Sequence, residues 1–293
     1  MMMPSTTNQN MPEPGKTKRS IRKSRGISLR LLIQIFFFAL IALIATNHNL
    51  EERGLSISFL SSASLHAVCP FGGVVSIYQY VTAGTYVKKI HEASFILMYI
   101  GFSLALFAGP AFCGWVCPFG SFQEWLGKLG KKISRWKFNR MIPSRVDKYL
   151  RYLRYIVLVW VVYVTATSAV LLFADYDPYF ALFNFWTDEV AVSALTILGV
   201  VILTSLYIER AFCKYACPYG AVLGIFNLFR GFKIKRNTAT CIDCKACDRG
   251  CPMNIEVSAS GVVRDHQCIS CLKCTSEFDC PVEDTVALTT GRL

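Results

Sequence analysis

Cysteine spacing constrains this chain more tightly than any other feature. Thirteen cysteines occur in 293 residues, and twelve fall into four compact groups. Cys241, Cys244, Cys247 and Cys251 read C-x2-C-x2-C-x3-C before Pro252, and Cys268, Cys271, Cys274 and Cys280 read C-x2-C-x2-C-x5-C before Pro281. Cys113/Cys117 and Cys213/Cys217 each read C-x3-C-P, one hundred residues apart. Three cysteines at such short intervals wrap three thiolates around one cubane iron–sulfur cluster, and in tandem runs the fourth cysteine crosses over. That rule groups Cys241, Cys244, Cys247 and Cys280 around one [4Fe–4S] cluster. It groups Cys268, Cys271, Cys274 and Cys251 around a second. Zinc also takes four-cysteine sites, but its ligands come as separated pairs. The second run departs from the usual spacing, with Thr275 to Asp279 between its last two cysteines.

Upstream of these runs the chain reads as membrane all-α. Four stretches, 31–50, 93–112, 155–174 and 190–208, carry no charge. Each approaches the ~20 residues that a span requires. The first is the most polar, with Gln34 inside and Asn47, His48 and Asn49 at its end. Bases crowd the N-terminal tail and the segment 128–154, whereas 174–189 holds only acids. The positive-inside bias then puts both termini, the middle loop and the C-terminal unit in the cytoplasm, at the bacterial inner membrane. The net charge of +12 follows the span ends, so it reads as a topology signal with some attraction to anionic lipid. Nucleic acid is not expected as a partner. Three domains follow: a disordered basic cytoplasmic tail over 1–27, a four-helix membrane domain over 28–235, and a two-cluster ferredoxin-like domain over 236–293. The tail is long and basic for a simple signal peptide, although a cleaved signal stays open. The last domain is short, so its folding should depend on metal.

The membrane part repeats itself. Ala111-Phe-Cys-Gly-Trp-Val-Cys-Pro-Phe-Gly120 aligns with Ala211-Phe-Cys-Lys-Tyr-Ala-Cys-Pro-Tyr-Gly220. Each copy follows a hairpin of two apolar stretches, so the expected architecture is two repeated hairpins about an axis along the membrane normal. Gly109-Pro110 should end the second span. Cys117 and Cys217 precede proline and should be extended, and each proline should open a helix. After Pro118, Phe122, Trp125, Leu126, Leu129, Ile133 and Trp136 recur at helical spacing, with Lys128, Lys131, Lys132 and Arg135 opposite. That pattern predicts an amphipathic helix on the inner leaflet. Two thiols at i and i+4 cannot close a tetrahedral site, but two symmetry-related pairs supply four ligands. Cys113, Cys117, Cys213 and Cys217 are therefore candidates for a shared metal or iron–sulfur centre. A redox dithiol and packed structural cysteines are the alternatives. Cys69, in a third echo Cys69-Pro-Phe-Gly72, is a ligand, a redox thiol or a packed small residue.

Taken together, the four spans, the paired C-x3-C-P motifs and the tandem cluster runs resemble the NapH/NosR-type polyferredoxin membrane proteins, over about residues 28–285. The resemblance implies a quinol-dehydrogenase membrane component, an electron-transfer subunit passing electrons between the quinone pool and a partner reductase. The flavin-binding domain of NosR-type members is absent from this sequence, as is the C-x-x-C-H of an attached haem. The rivals are an accessory protein resembling the CcoG type, which assembles cofactors or reduces metal, and a redox-sensing membrane regulator. Quinol oxidation releases protons, and His91, Asp175 and Asp177 are the candidate acceptors, with His66 and Glu92 beside them in the outer loops. Tyr176, Tyr179, Phe180, Phe183, Phe185 and Trp186 could wall a quinone ring. This placement sets the quinone on the outer face, most of a membrane thickness from the clusters, and a site nearer the C-x3-C-P motifs would remove that gap.

Overall fold

A computed structural model describes residues 25–52, 92–133, 138–139, 141–168, 176–187, 190–277 and 279–290. The chain is mostly helical. Helix α1 (Arg25–Glu52) contains Leu29–Asn47, the one described segment long and apolar enough to cross a membrane. Helices α2 (Glu92–Ala108), α5 (Leu153–Ser168) and α7 (Val192–Ser205) cover parts of the other three charge-free stretches. Of these, α2 and α7 end short of the stretches that the sequence marks out. Fourteen residues rise about 21 Å, less than the ~30 Å of a hydrocarbon core. Local chemistry sets two of these limits. Gly109, at φ +81°, ends α2. The α7 ladder tightens into i→i+3 bonds at Leu206 and Tyr207, and Arg210 is left-handed at φ 56°. Large apolar side chains still point outward from all four helices, among them Phe36, Phe107, Val159 and Leu203.

Each C-x3-C-P motif builds the same local structure. The first forms a π-helical turn (Phe112–Val116) and the second a short helix, α8 (Ala211–Tyr215). Cys117 and Cys217 are both extended, with ψ of 113°. Both amides reach back five residues, to the carbonyls of Phe112 and Phe212, at 2.9 Å each. Pro118 and Pro218 then open α3 (Pro118–Ile133) and α9 (Pro218–Asn227). A proline at N1 costs nothing, because the amide it lacks would be unpaired there.

Helix α3 occupies the segment expected to form an amphipathic helix. Its buried residues are Pro118, Phe119, Gly120, Ser121, Gln123, Glu124, Gly127 and Gly130, so beyond its first turn the buried side is polar and glycine-rich. Leu129 and Ile133 are exposed. The glycines let this side approach α7 closely, since a Cβ on Gly130 would lie 1.9 Å from the Leu206 carbonyl oxygen. Helix α4 (Ser144–Leu150) leads into α5, and α6 (Pro178–Asn184) packs against α7 and α1.

The C-terminal unit closes on a two-stranded antiparallel sheet. β1 (Lys233–Arg236) pairs with β2 (Val286–Thr289), with Lys233 opposite Thr289. β1 therefore crosses the expected boundary at residue 236. Its apolar core is small, built from Ile234, Met253, Ile255, Val257, Val263, Ile269 and Val286 with Cys247, Cys268 and Cys274. The two cysteine runs share one backbone. The residues before and after the second cysteine are left-handed in both, at Asp243 and Lys245 and at Ser270 and Leu272. Each non-glycine residue held there costs about 1–2 kcal/mol.

Candidate iron–sulfur centres

The C-terminal cysteines gather in two neighbouring groups. Cys280 lies in electrostatic reach of Cys244 and Cys241, and Cys247 in reach of Cys280. Cys251 is in reach of Cys271 and Cys268, and Cys274 of Cys271, Cys251 and Cys268. Cys274 also reaches Cys247, so the groups adjoin. Burial pushes the Cys251 thiol up to about 12 and the Cys247 thiol up to about 11. Both are protonated at neutral pH until a metal displaces the proton. The donor set fits iron–sulfur chemistry. It is all sulfur, and cationic donors are aimed at it: Arg230 Nη1 lies 3.4 Å from Cys268 Sγ and Arg236 Nη1 lies 3.2 Å from Cys241 Sγ. Hydrogen bonds to sulfur and exposure both tune a cluster's potential. The groups differ in exposure, for Cys244 is exposed while Cys268 and Cys274 are buried.

The four C-x3-C-P cysteines also converge. Cys217 lies in electrostatic reach of Cys213, Cys113 and Cys117, and Cys113 in reach of Cys117 and Cys213. Two ring contacts hold the copies together reciprocally. Phe112 meets Tyr219 edge-on with centroids 5.8 Å apart, and Phe119 meets Phe212 edge-on at 5.3 Å. Phe112 corresponds to Phe212 in the repeat, and Phe119 to Tyr219. Such an exchange, i to j and j to i, is what a two-fold axis produces. Two N–H groups point at these sulfurs: Gln123 Nε2 to Cys213 at 3.4 Å and the Gly220 amide to Cys217 at 3.3 Å. The motif touches the C-terminal unit directly. A Cβ on Gly114 would lie 2.5 Å from the Ile269 carbonyl oxygen, and Trp115 Nε1 donates to the Ser270 carbonyl at 3.0 Å.

A buried charge knot binds these parts, and the sequence reading had missed it. Arg30 of α1 donates to Glu124 through Nη1 at 2.9 Å and Nη2 at 2.6 Å. Arg210 donates to the same carboxylate at 2.9 Å, and Lys273 Nζ lies 3.2 Å away. Arg30 also donates to the Gly114 carbonyl at 3.1 Å, and Arg210 to the Cys113 carbonyl at 2.6 Å. Burial opposes ionisation of Glu124, but the Arg210, Lys273 and Arg30 charges outweigh it. They hold the carboxyl well below its usual range. One signal was available in the sequence, where Glu124 is the only acid between Glu92 and Asp147 in a basic stretch. Among the described residues, Arg30, Arg154, Arg210, Lys214 and Arg230 are buried cations, against the buried carboxylates Glu124 and Asp147. This interior carries an excess of positive charge, and a buried charge is stable only where something compensates it.

Of the proton-acceptor candidates, His66, His91 and Asp175 lie outside the described residues, as does Cys69. Asp177 caps α6, accepting from the Tyr179 amide at 2.9 Å. It stands in electrostatic reach of Cys117, which corrects the expected placement a membrane thickness from the inner motifs. The reason is that α6 turns back against α7 and α1, with Phe183 5.3 Å from Phe38 of α1. The aromatic set divides accordingly. Tyr179, Phe180 and Phe183 pack inward, whereas Tyr176, Phe185 and Trp186 are exposed.

Comparison with known proteins follows this geometry. A 4Fe-4S binding domain family matches twice, over residues 90–137 and 190–237, so each match covers one C-x3-C-P motif. The putative electron transport protein YccM of Escherichia coli K12 is 31% identical over 247 residues, covering 80% of this chain and 66% of that protein. The uncharacterized protein MJ0750 of Methanocaldococcus jannaschii is 33% identical over 218 residues, 74% of this chain and 84% of its own length. The ferredoxin-type protein NapH of Haemophilus influenzae is 26% identical over 179 residues, 58% of this chain and 60% of its own. No solved structure matches this chain.

Proposed function

The chain belongs to the NapH/NosR-type polyferredoxin family of iron–sulfur electron-transport proteins, and we propose on that footing that it carries electrons from membrane quinol to a partner redox protein. In this reading Cys241, Cys244, Cys247 and Cys280 hold one [4Fe–4S] cluster, and Cys251, Cys268, Cys271 and Cys274 hold another. The observation that supports it most is the crossing of Cys251 and Cys280 into the opposite groups, with Cys247 and Cys274 joining them. Cubane clusters carry one electron at a time and so divide the quinol pair into two steps. We place the docking of a partner at the end where Cys244 and Ile242 are exposed, since electrons must leave a cluster near the surface.

The membrane placement rests on α1, on the outward apolar faces of α2, α5 and α7, and on the distribution of bases. We read four spans in two repeated hairpins at the bacterial inner membrane, with both termini cytoplasmic. We divide the chain near residue 233 and not at the 28–235 and 236–293 boundary, because β1 pairs with β2 of the C-terminal unit. Asp177 is the acceptor best placed for a quinol proton, because it stands beside the C-x3-C-P group, and His91 and Asp175 remain candidates. The descriptions of YccM and NapH are of electron-transport and ferredoxin-type proteins, which does not favour the accessory-factor reading.

The test uses the full chain, purified anaerobically and placed in vesicles with a reduced quinone. Visible absorbance of the clusters should bleach with quinol and with dithionite. Replacing Asp177 by Asn should slow the first and leave the second intact. Clusters that dithionite reduces and no quinol reduces would refute the quinol reading.

A further inference from the structure

We infer that the residues between the cysteines of the two C-x3-C-P motifs form a seat for the segment Gln267–Cys271. Within it, Gly114 and Trp115 are the positioning residues that fix the second cysteine run against the motif. This seat deepens the electron-transfer reading, on which its purpose rests, and it is tested without quinol. Both repeat copies grip the same five residues. In the first copy a Cβ on Gly114 would lie 2.5 Å from the Ile269 carbonyl oxygen and 3.4 Å from the Cys271 Cα. Those are backbone atoms, which cannot swing aside as a side chain can. Trp115 Nε1 donates to the Ser270 carbonyl at 3.0 Å. In the second copy Lys214 stands where the first has Gly114, and its carbonyl accepts from Gln267 Nε2 at 2.9 Å. The segment thus bridges the two copies.

A contrast inside the C-terminal unit shows what the seat does. Cys241-Ile-Asp-Cys244 and Cys268-Ile-Ser-Cys271 are nearly the same sequence, each with a left-handed third residue. Yet Ile242 is 63% exposed and Ile269 only 7%. The helical part covers one of two equivalent faces and leaves the other bare. Left-handed Ser270 is also held at its hydroxyl, which donates to the Ala108 carbonyl at 2.7 Å and accepts from Arg230 Nη1 at 3.2 Å. Cys113 packs against the core of the C-terminal unit. Buried Arg210 stands in electrostatic reach of Cys113, Cys213 and Cys271, so one guanidinium serves both sets of cysteines. Iron–sulfur clusters bound at these cysteines supply one-electron chemistry. The seat fixes how far apart the two sets of ligands stand.

The experiment is hydrogen–deuterium exchange on the full chain, reconstituted anaerobically, read at the amides of residues 267–271. Iron content and an EPR redox titration are taken on the same samples. Trp115→Phe keeps a ring and removes one hydrogen bond, and it should raise exchange there about tenfold. Gly114→Ala must push the run away from the motif and should raise exchange at least as much. Exposure tunes a cluster's potential, so Gly114→Ala should also shift the midpoint of one C-terminal cluster and leave the other in place, with iron content unchanged. Gly261→Ala, whose Cβ would meet nothing within 4 Å, should change neither reading. Should Gly114→Ala not fold, Gln267→Leu releases the segment from the second copy and should raise exchange as Trp115→Phe does. Wild-type exchange and potentials in the Gly114 and Trp115 variants overturn the seat. So does loss of iron from both C-terminal clusters, since that reports general destabilisation. Neither outcome touches the quinol reading, which stands or falls on reduction by quinol.

Discussion

Glu124 accepts from Arg30 and Arg210 and faces Lys273, so one carboxylate compensates charge from α1, from the residue preceding α8 and from the second cysteine run. Removing one partner of a buried ion pair costs about 3–5 kcal/mol, because the other charges stay buried and unpaired. Glu124→Leu should destabilise the chain by about that much in denaturant unfolding, and a loss under about 1 kcal/mol would contradict the pairing. The pH dependence has a definite sign. The folded-state value is depressed, so this stability is fully present above the ordinary carboxylate value of 4.5 and is lost as pH falls toward the folded value. Between pH 7 and 5, wild type and Glu124→Gln should differ by a constant offset. A gap that changes across that window would be inconsistent with a depressed Glu124. Arg230 gives a second residue-scale expectation. Arg230→Met removes the cation on Cys268 and should lower the midpoint potential of one cluster in an EPR redox titration. An unchanged potential would mean that the contact does not act on the loaded cluster.

At the scale of elements, the prolines and glycines were legible and the packing faces were not. Pro118 and Pro218 begin helices, and Gly109 ends one, because these effects are intrinsic to the residue. Periodicity gave the amphipathic character of α3 but not the residues of its protein-facing side, where glycines and a satisfied carboxylate make the contact. Two glycines make a direct comparison. Gly130→Ala must push α3 away from the Leu206 backbone, and Gly199→Ala on α7 meets nothing within 4 Å. The first should lower the melting temperature by several degrees. The second should leave it unchanged or raise it by the ~0.5–1 kcal/mol that alanine gains over glycine inside a helix. Equal effects would sink this account of the α3–α7 contact.

For the whole molecule, the knot has a topological consequence. Arg30, near the start of α1, and Lys273, in the C-terminal unit, meet at one carboxylate. The N-terminal end of α1 and the C-terminal unit therefore lie at the same end of the bundle. Tags on the two termini should be protected in spheroplasts and cleaved in inverted vesicles. Cleavage of one tag from each side would refute the shared orientation. The amino-acid sequence by itself determined the grouping and spacing of the cysteines, the repeat and the proline starts, because each is written within a few covalently linked residues. The repeat already implied that Cys113 and Cys217 meet; the tertiary structure alone decided that Asp177 approaches Cys117 and that Glu124 collects three cations. Those outcomes depend on which helix faces pack together across nearly a hundred residues of chain, and no local pattern encodes that choice.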